Sequence, residues 1–446
     1  MISGPVAAAH TLRDGLRAQL WPLPTLAVVT AVVLGLALPG ADAAVDSRMS
    51  GWLDALLFGG DAGAASTVLD AVASSLITVT ALTFSLTVVT LQLASSQFSP
   101  RLLRTFTQDL FVQATLALFL ATFAYSLTVL RSVRSGGDGE AAFVPRIAVT
   151  SSYVLAVLSV IGLVLFLAHL TRQIRVETML HLVRQDASGT VRAVLSPRGE
   201  GGRVSPPDGP GQPVLSTSSG FLLSVDGDDL LDASRNAGAV LVITAWPGDF
   251  LVEGTPIGSA YAHHGQLGPR ELGALGATVG RAVRTGSERT GAQDVGFGLR
   301  QLTDVANKAL SPGINDPTTA VHALGHISAL LCQLAGCELG PVQLTDDAGA
   351  RVVLHRPDLA YLLEMSLTQI RHYGAGDPIV VARLYQLLDD LTWHVAARDR
   401  SLLDRERRRL DASSASSDFD DVTRSRLASL SQSVASGAGS ERRAQV

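Results

Sequence analysis

Lysine is nearly missing from this 446-residue chain: Lys308 is the only one among 35 basic side chains, and arginine and alanine are abundant instead. That balance is what GC-rich coding produces, and it makes Lys308 a position to follow. Cysteine is almost as scarce. Cys332 and Cys337 are separated by four residues, which places them on different sides of a helix, excludes a CxxC redox pair, and reads as two reduced core residues. Charge is thin too, at 17% of the chain against 47% hydrophobic residues, with a positive mean hydropathy. An ordinary soluble protein is excluded by that ratio, and membrane segments account for the excess. The net charge is only -5, and no basic block is interleaved with aromatics, so nucleic acid is excluded as a partner. No nucleophile–base pair, metal-ligand set or glycine-rich phosphate loop reaches motif strength. The chain is therefore read as non-enzymatic, with no cofactor and no metal.

What is present in abundance is long apolar runs. Spans are expected at about residues 22–40, 68–94, 110–130 and 147–170, each long enough at 1.5 Å per residue to cross a roughly 30 Å hydrocarbon core. The first could also be a signal peptide, since Ala41-Asp42-Ala43 resembles a small-residue cleavage site. The loop at 41–66 carries Asp42, Asp46, Asp54 and Asp61 against Arg48 alone and reads as external. Arg101 and Arg104 after the second span, and Arg172, Arg175 and Arg184 after the fourth, read as cytoplasmic. The loop with Arg131, Arg134 and Arg146 fits the outside less cleanly. Both termini are then on the cytoplasmic side of the membrane. Ser99-Pro100 reads as an N-cap followed by proline at the first helical position, a break where a new helix starts.

The second span is unusual for its hydroxyls. At 100° per residue Ser74, Thr78, Ser85, Gln92 and Ser96 share one narrow stripe, while Thr80, Thr83, Thr87 and Thr90 fall on nearly the opposite face. Such hydroxyls either bond back to their own helix and glue neighbouring helices, or line a hydrated pathway whose inner mouth holds Gln92, Arg101 and Arg104. The candidate pathway residues are Ser74, Thr78, Thr83, Ser85, Thr87, Thr90, Gln92, Arg101 and Arg104.

From about Glu177 the composition becomes that of a soluble domain. Strand-like runs at Thr190–Leu195, Gly220–Val225 and Ala239–Trp246 are separated by a Gly/Pro-rich loop at 197–213 and a short helix at Asp228–Ala237. Pro247-Gly248-Asp249 followed by FLVEGTPIGSAY reads as a hairpin of a small β-barrel or sandwich over 176–265. The module is similar to biotinyl/lipoyl-like half-barrels, although no lysine stands at a hairpin tip for carrier chemistry. A helical module is expected over 266–410, and over 411–446 a disordered tail with at most one short helix around residues 419–435. In the helical module Arg300, Asp304 and Lys308 recur at i, i+4 and i+8, either as a solvated salt-bridge ladder or as part of a ligand site. Asp316-Pro317 is an N-cap with proline at the first helical position. Ser311, Asn315, Asp316, Thr318 and Thr319 crowd that helix start, as local capping or as an anion site. His322 and His326 are one turn apart without a third ligand set by spacing, and read as packed or capping histidines.

The runs TALTFSLTVVTLQLASSQFSPRLLRTF, GDFLVEGTPIG and above all FGLRQLTDVANKALSPGINDPTTAV resemble the bacterial predicted-membrane-protein family called domain of unknown function 2254. The resemblance implies a multi-span inner-membrane protein with a cytosolic domain and carries no established activity. The fold expected is a membrane all-α region of four transmembrane helices over 1–175, followed by a cytosolic α+β domain. The function expected is an oligomeric channel or transport protein, a homo-oligomer in the lipid bilayer acting on a small ion. Its plan, a pore helix before a soluble domain with β structure, is similar to small-conductance mechanosensitive channels by analogy only. The alternative is a membrane-tethered sensor or scaffold that binds an anionic ligand or protein at the SPGINDP loop.

Overall fold

The structure is a computed structural model, and it describes residues 21–45, 57–97, 109–135, 143–173, 175–199, 204, 207, 209–347 and 349–436. The chain divides into two compact units, Met1–Arg175 and Val176–Val446.

In the first unit the apolar runs form four helices: α1 (Pro22–Val45), α2 (Ala62–Gln97), α3 (Leu110–Leu130) and α4 (Arg146–Gln173). All four are long and apolar enough to cross a membrane. The third span organises the bundle. Half of α3 is buried, against 17–28% of the other spans, and it packs on α1, α2 and α4. Tyr125 and Val129 of α3 sit in one apolar cluster with Ala31, Leu69 and Val149, while Val112 and Leu116 join Phe166 and Leu170 in another. The outer faces of α1 and α4 expose Leu26, Val29, Val33, Val160, Ile161 and Val164, as helices solvated by lipid do.

Helix ends in an apolar medium need partners for their free N–H groups. Asp42, only 4% exposed, supplies them for α4, its Oδ2 accepting from the Ile147 and Ala148 amides at 2.8 and 3.3 Å. The small-residue stretch that resembled a cleavage site is thus the last turn of α1, holding α4 in place. Asp109 does the same for α3, accepting from the Phe111 amide at 2.8 Å, and its other oxygen is 2.6 Å from His169 Nε2 on α4. The expected helix start at Ser99-Pro100 lies outside the described residues.

The second unit opens with α5 (Val176–Val194). The run Thr190–Leu195, expected as a strand, is the end of this helix, because its alternation is overridden by burial of Met179, Leu180, Val183, Ala187 and Val191 along one helical face. Strands β1 (Gln212–Leu215), β2 (Gly220–Val225), β3 (Ala239–Ile243), β4 (Phe250–Leu251), β5 (Pro256–Ala262), β6 (Val283–Gly286), β7 (Val342–Thr345) and β8 (Arg351–Leu354) follow, with α6 (Gly227–Ala237) and α7 (Pro269–Ala282) between them. They build a five-stranded sheet, β1-β5-β3-β8-β7, and a three-stranded one, β4-β2-β6. Only β3 and β8 pair in parallel.

The expected self-contained barrel or sandwich over 176–265 is therefore replaced by two sheets that draw β6, β7 and β8 from beyond residue 265. The hairpin reading also changes. The two arms of GDFLVEGTPIGSAY do not pair with each other: β4 joins β2, and β5 lies between β1 and β3. Leu222, Leu241, Ile243, Ile257, Leu275, Val279 and Val352 form the shared apolar core.

Six further helices complete the unit: α8 (Phe297–Ala309), α9 (Pro317–Ala335), α10 (Leu359–Gly374), α11 (Pro378–Thr392), α12 (Arg400–Ser414) and α13 (Asp421–Ser436). In the tail from residue 411, α13 is the one short helix expected around residues 419–435, and the end of α12 reaches Ser414. Leu427 and Val434 are buried, and Asp411 joins three elements by accepting from Tyr385 Oη at 2.5 Å, Arg407 Nη1 at 2.7 Å and Ser431 Oγ at 2.9 Å. A Ser/Ala/Arg-rich composition hides these few anchoring residues.

Candidate functional site

The second span presents two polar faces, and packing distinguishes them. Thr80, Thr83, Thr87 and Thr90 are all buried, at 8, 2, 8 and 5% exposure. Three of these hydroxyls donate to carbonyls one turn back: Thr80 to Leu76, Thr87 to Thr83 and Thr90 to Leu86, at 2.6–2.9 Å. Thr83 Oγ1 is buried with no hydrogen-bond partner among the described residues. This ridge faces the bundle interior.

The opposite face is outside. Ser74, Thr78, Ser85 and Gln92 are exposed, and Thr67 and Asp70 are exposed with them. At 100° per residue these six positions fall within a stripe about 80° wide. Over the roughly 22 residues from Asp70 to Gln92 it extends about 33 Å, close to the thickness of a hydrocarbon core. Thr67 and Asp70 were not on the stripe drawn from sequence, although the same helical arithmetic includes them. Arg101 and Arg104 lie outside the described residues, and so does the side chain of Ser96.

A second set of hydroxyls, between α3 and α4, has no counterpart in the sequence reading. Ser126 and Ser152 are 2.7 Å apart, Thr122 and Ser159 are 3.3 Å apart, and all four are buried. These pairs satisfy polar groups across a dry helix contact, each worth on average about 0.6 kcal/mol in a membrane. The signal for them was the i, i+4 spacing of Thr122 and Ser126 on an otherwise apolar helix.

In the second unit the SPGINDP loop is built mainly by its own hydrogen bonds. Ser311 Oγ donates to the Lys308 carbonyl at 2.7 Å, the Ile314 and Asn315 amides donate to the Ser311 carbonyl, and the Asp316 amide donates to the Ala309 carbonyl. Asp316 caps α9, accepting from the Thr319 amide at 3.1 Å and the Thr319 hydroxyl at 2.6 Å. Lys308, Ile314, Asn315 and Thr318 point to solvent. Arg300 Nε is buried without a hydrogen-bond partner among the described residues, and Asp304 is half-buried on the same helix. The loop and these α8 residues thus do not converge on one cavity among the described residues.

The hydrogen bonds from Thr319 hold the Asp316 carboxyl below the usual carboxylate range. A depressed folded-state pKa stabilises the fold above the unfolded value, and that contribution is lost as pH falls through the folded value. Asp316→Ala is thus expected to cost about 1 kcal/mol at neutral pH, and the difference from wild type should shrink on acidification below about pH 4. Denaturant titrations of the full chain in detergent at the two pH values check this.

The histidines of α9 face α5. His322 Nδ1 is 3.7 Å from Glu177 Oε1, and the His326 ring centroid is 6.5 Å from that of His181. Burial, and then the Arg184 cation, push the His326 pKa down, so the ring is neutral at pH 7. Among the described residues no group of three His, Cys, Asp or Glu is arranged to hold a metal ion.

Residues 17–390 match the family described as Predicted membrane protein (DUF2254). Uncharacterized proteins of Mycobacterium bovis and Mycobacterium tuberculosis (strain ATCC 25618 / H37Rv) are each 38% identical over 385 residues, covering 84% of this chain and 72% of theirs. No solved structure matches the chain.

Proposed function

The chain belongs to the DUF2254 family of predicted membrane proteins, and from that premise we propose that it is an oligomeric channel or transport protein of the bacterial inner membrane. In this reading both termini are cytoplasmic, copies of α2 surround a pathway, and the second unit forms a cytosolic vestibule. The observation that carries the reading is the exposed stripe Thr67, Asp70, Ser74, Thr78, Ser85 and Gln92. Asp70 stands about two turns inside the Ala62–Gln92 span, where a lipid-facing carboxylate is disfavoured, though by less than the roughly 2.5–3.5 kcal/mol of a helix centre; the Thr67 and Thr78 hydroxyls bond back to the Gly63 and Ser74 carbonyls. A second copy presenting the same stripe around a closed symmetry axis removes that cost and encloses a hydrated path. The pathway-lining set then narrows to the exposed face, while Thr83, Thr87 and Thr90 act as packing residues within each copy. Arg101 and Arg104, after α2, would favour anions at the inner mouth.

Planar-bilayer recording of purified oligomer tests this. Unitary currents are expected, reduced by Ser85→Leu and by Gln92→Leu but kept by Thr87→Val, which changes only the interior ridge. Silent bilayers from well-folded oligomer would defeat the proposal.

A second reading is a membrane-tethered sensor or scaffold acting through the SPGINDP loop. It is favoured by one observation: Asn315 has φ +50° and stands exposed beside Ile314, itself 42% exposed. A non-glycine residue in the left-handed region is uncommon, and such positions recur at ligand clamps and switch regions. Thermal-shift screening with anions and nucleotides tests it, since any real shift must weaken in Asn315→Ala.

A further inference from the structure

A cleft of about 340 Å³ lies between α9 and α11, lined by Gly325, Ser328, Cys332, Arg383, Asp390 and Trp393 among others. We propose that it binds a small zwitterion of the α-amino-acid class. The site is separate from α2 and does not depend on a pathway there.

Three observations support it. First, Arg383 is only 18% exposed, yet among the described residues its one hydrogen bond runs from Nη1 to Asp390 Oδ2 at a long 3.4 Å. A guanidinium has five N–H donors, and a largely buried one with most of them unfilled is suited to receive a carboxylate in the two-pronged geometry arginine favours. Second, Asp390 is partly occupied on one oxygen, where Ser328 Oγ donates to Oδ2 at 2.6 Å. Oδ1 has no hydrogen-bond partner among the described residues, and the Asp390 side chain, 49% exposed, lines the same cleft, open to an ammonium. The two opposite charges lie as close together as the carboxylate and ammonium of an amino acid, whereas a phosphate would be repelled by Asp390. Third, Gly325 is inside α9, where glycine costs about 1 kcal/mol relative to alanine. Packing does not demand it: a Cβ there would have no neighbour nearer than Arg383 Nη2 at 3.9 Å. The glycine leaves the cleft floor open, and Trp393 supplies an apolar wall for a side chain.

Cys332 lines the cleft as a bystander. Burial pushes its thiol up to about 11, so it is protonated at neutral pH and does not compete for the ammonium.

Isothermal titration of the full chain in detergent with each proteinogenic L-amino acid tests the assignment. At least one is expected to bind with Kd below about 1 mM, and to weaken about tenfold or more in Arg383→Gln and in Asp390→Asn. Gly325→Leu fills the floor and should abolish binding while leaving both charges in place, which covers the case in which a charge variant fails to fold. Propionate and propylamine, with one charge each, should bind at least about tenfold more weakly than the amino acid. Absence of any amino-acid binding, binding that survives Gly325→Leu, or propionate binding as well as the amino acid would each overturn the proposal.

Discussion

Asp294→Ala is expected to destabilise the second unit by about 3–5 kcal/mol, because it leaves a charged guanidinium largely buried without its partner. Asp294 is 1% exposed and pairs through Oδ2 with Arg289 Nε, while Arg289 itself is 19% exposed. The other carboxylate oxygen accepts from the Gly296 amide at 3.0 Å. Burial holds the Asp294 carboxyl above its ordinary range even beside the cation, while the hydrogen bond and charge of Asp294 raise the Arg289 pKa against its own burial. That geometry includes the WPGD turn. Gly248 has φ +108°, and a Cβ there would lie 2.5 Å from Asp294 Oδ2 and 2.7 Å from Arg289 Nη2, so the backbone rests directly on the ion pair. Beside it Trp246 packs edge-on against Tyr361, with ring centroids 5.4 Å apart. Asp294→Asn should cost less than alanine, since an amide oxygen still accepts from Gly296. Denaturant unfolding of the full chain, followed by tryptophan fluorescence, measures the difference.

Gly35→Leu is expected to have an effect of similar size in the first unit, about 3 kcal/mol or more, with α1 displaced from α3. A Cβ at Gly35 would meet Thr128 Cβ at 2.9 Å, Thr128 Cγ2 at 3.0 Å and the Tyr125 carbonyl at 3.4 Å. Helix backbones approach this closely in membranes only over small residues. Overpacking a tight contact costs about 1–3 kcal/mol for added methylenes, and here displacement of α1 would also withdraw the Asp42 cap from α4. Thermal melts in detergent should show the loss for leucine and a smaller one for Gly35→Ala. An unchanged melt for Gly35→Leu would mean that α1 does not pack on α3 in this way.

The span boundaries were legible in the sequence because length and apolar content alone decide them. The spans of α1 to α4 fall where the apolar runs do. Which span is central was not legible, since hydropathy does not distinguish a helix surrounded by protein from one surrounded by lipid. The hydroxyls of α2 drew attention to the second span, while α3, with fewer polar signals, does most of the packing. The two polar faces of α2 were legible as faces, but not which of them points inward. That choice rests on how α2 packs against α3 and α4, which buries Thr80, Thr83, Thr87 and Thr90.

In the second unit the local signals read well. Gly220–Val225 is a strand, residues 227–237 are helical, and Asp316-Pro317 starts a helix. The sheet partners did not read well. Val352 pairs in parallel with Leu241, and more than a hundred intervening residues contain nothing that announces the pairing. The cleft beside Arg383 was missed for the same reason: Gly325 and Arg383 are each unremarkable in their own helix and become a site only when α9 and α11 meet.

The central claim, that the exposed stripe of α2 faces another copy of α2, is tested most directly by cysteine cross-linking in native membranes. In a Cys332→Ser, Cys337→Ser background, Ser85→Cys and Thr87→Cys are each treated with a short bifunctional thiol reagent. Ser85→Cys is predicted to give covalent oligomers and Thr87→Cys to remain monomeric. Cross-linking through Thr87→Cys but not Ser85→Cys, or through neither in protein that migrates as an oligomer, would contradict it.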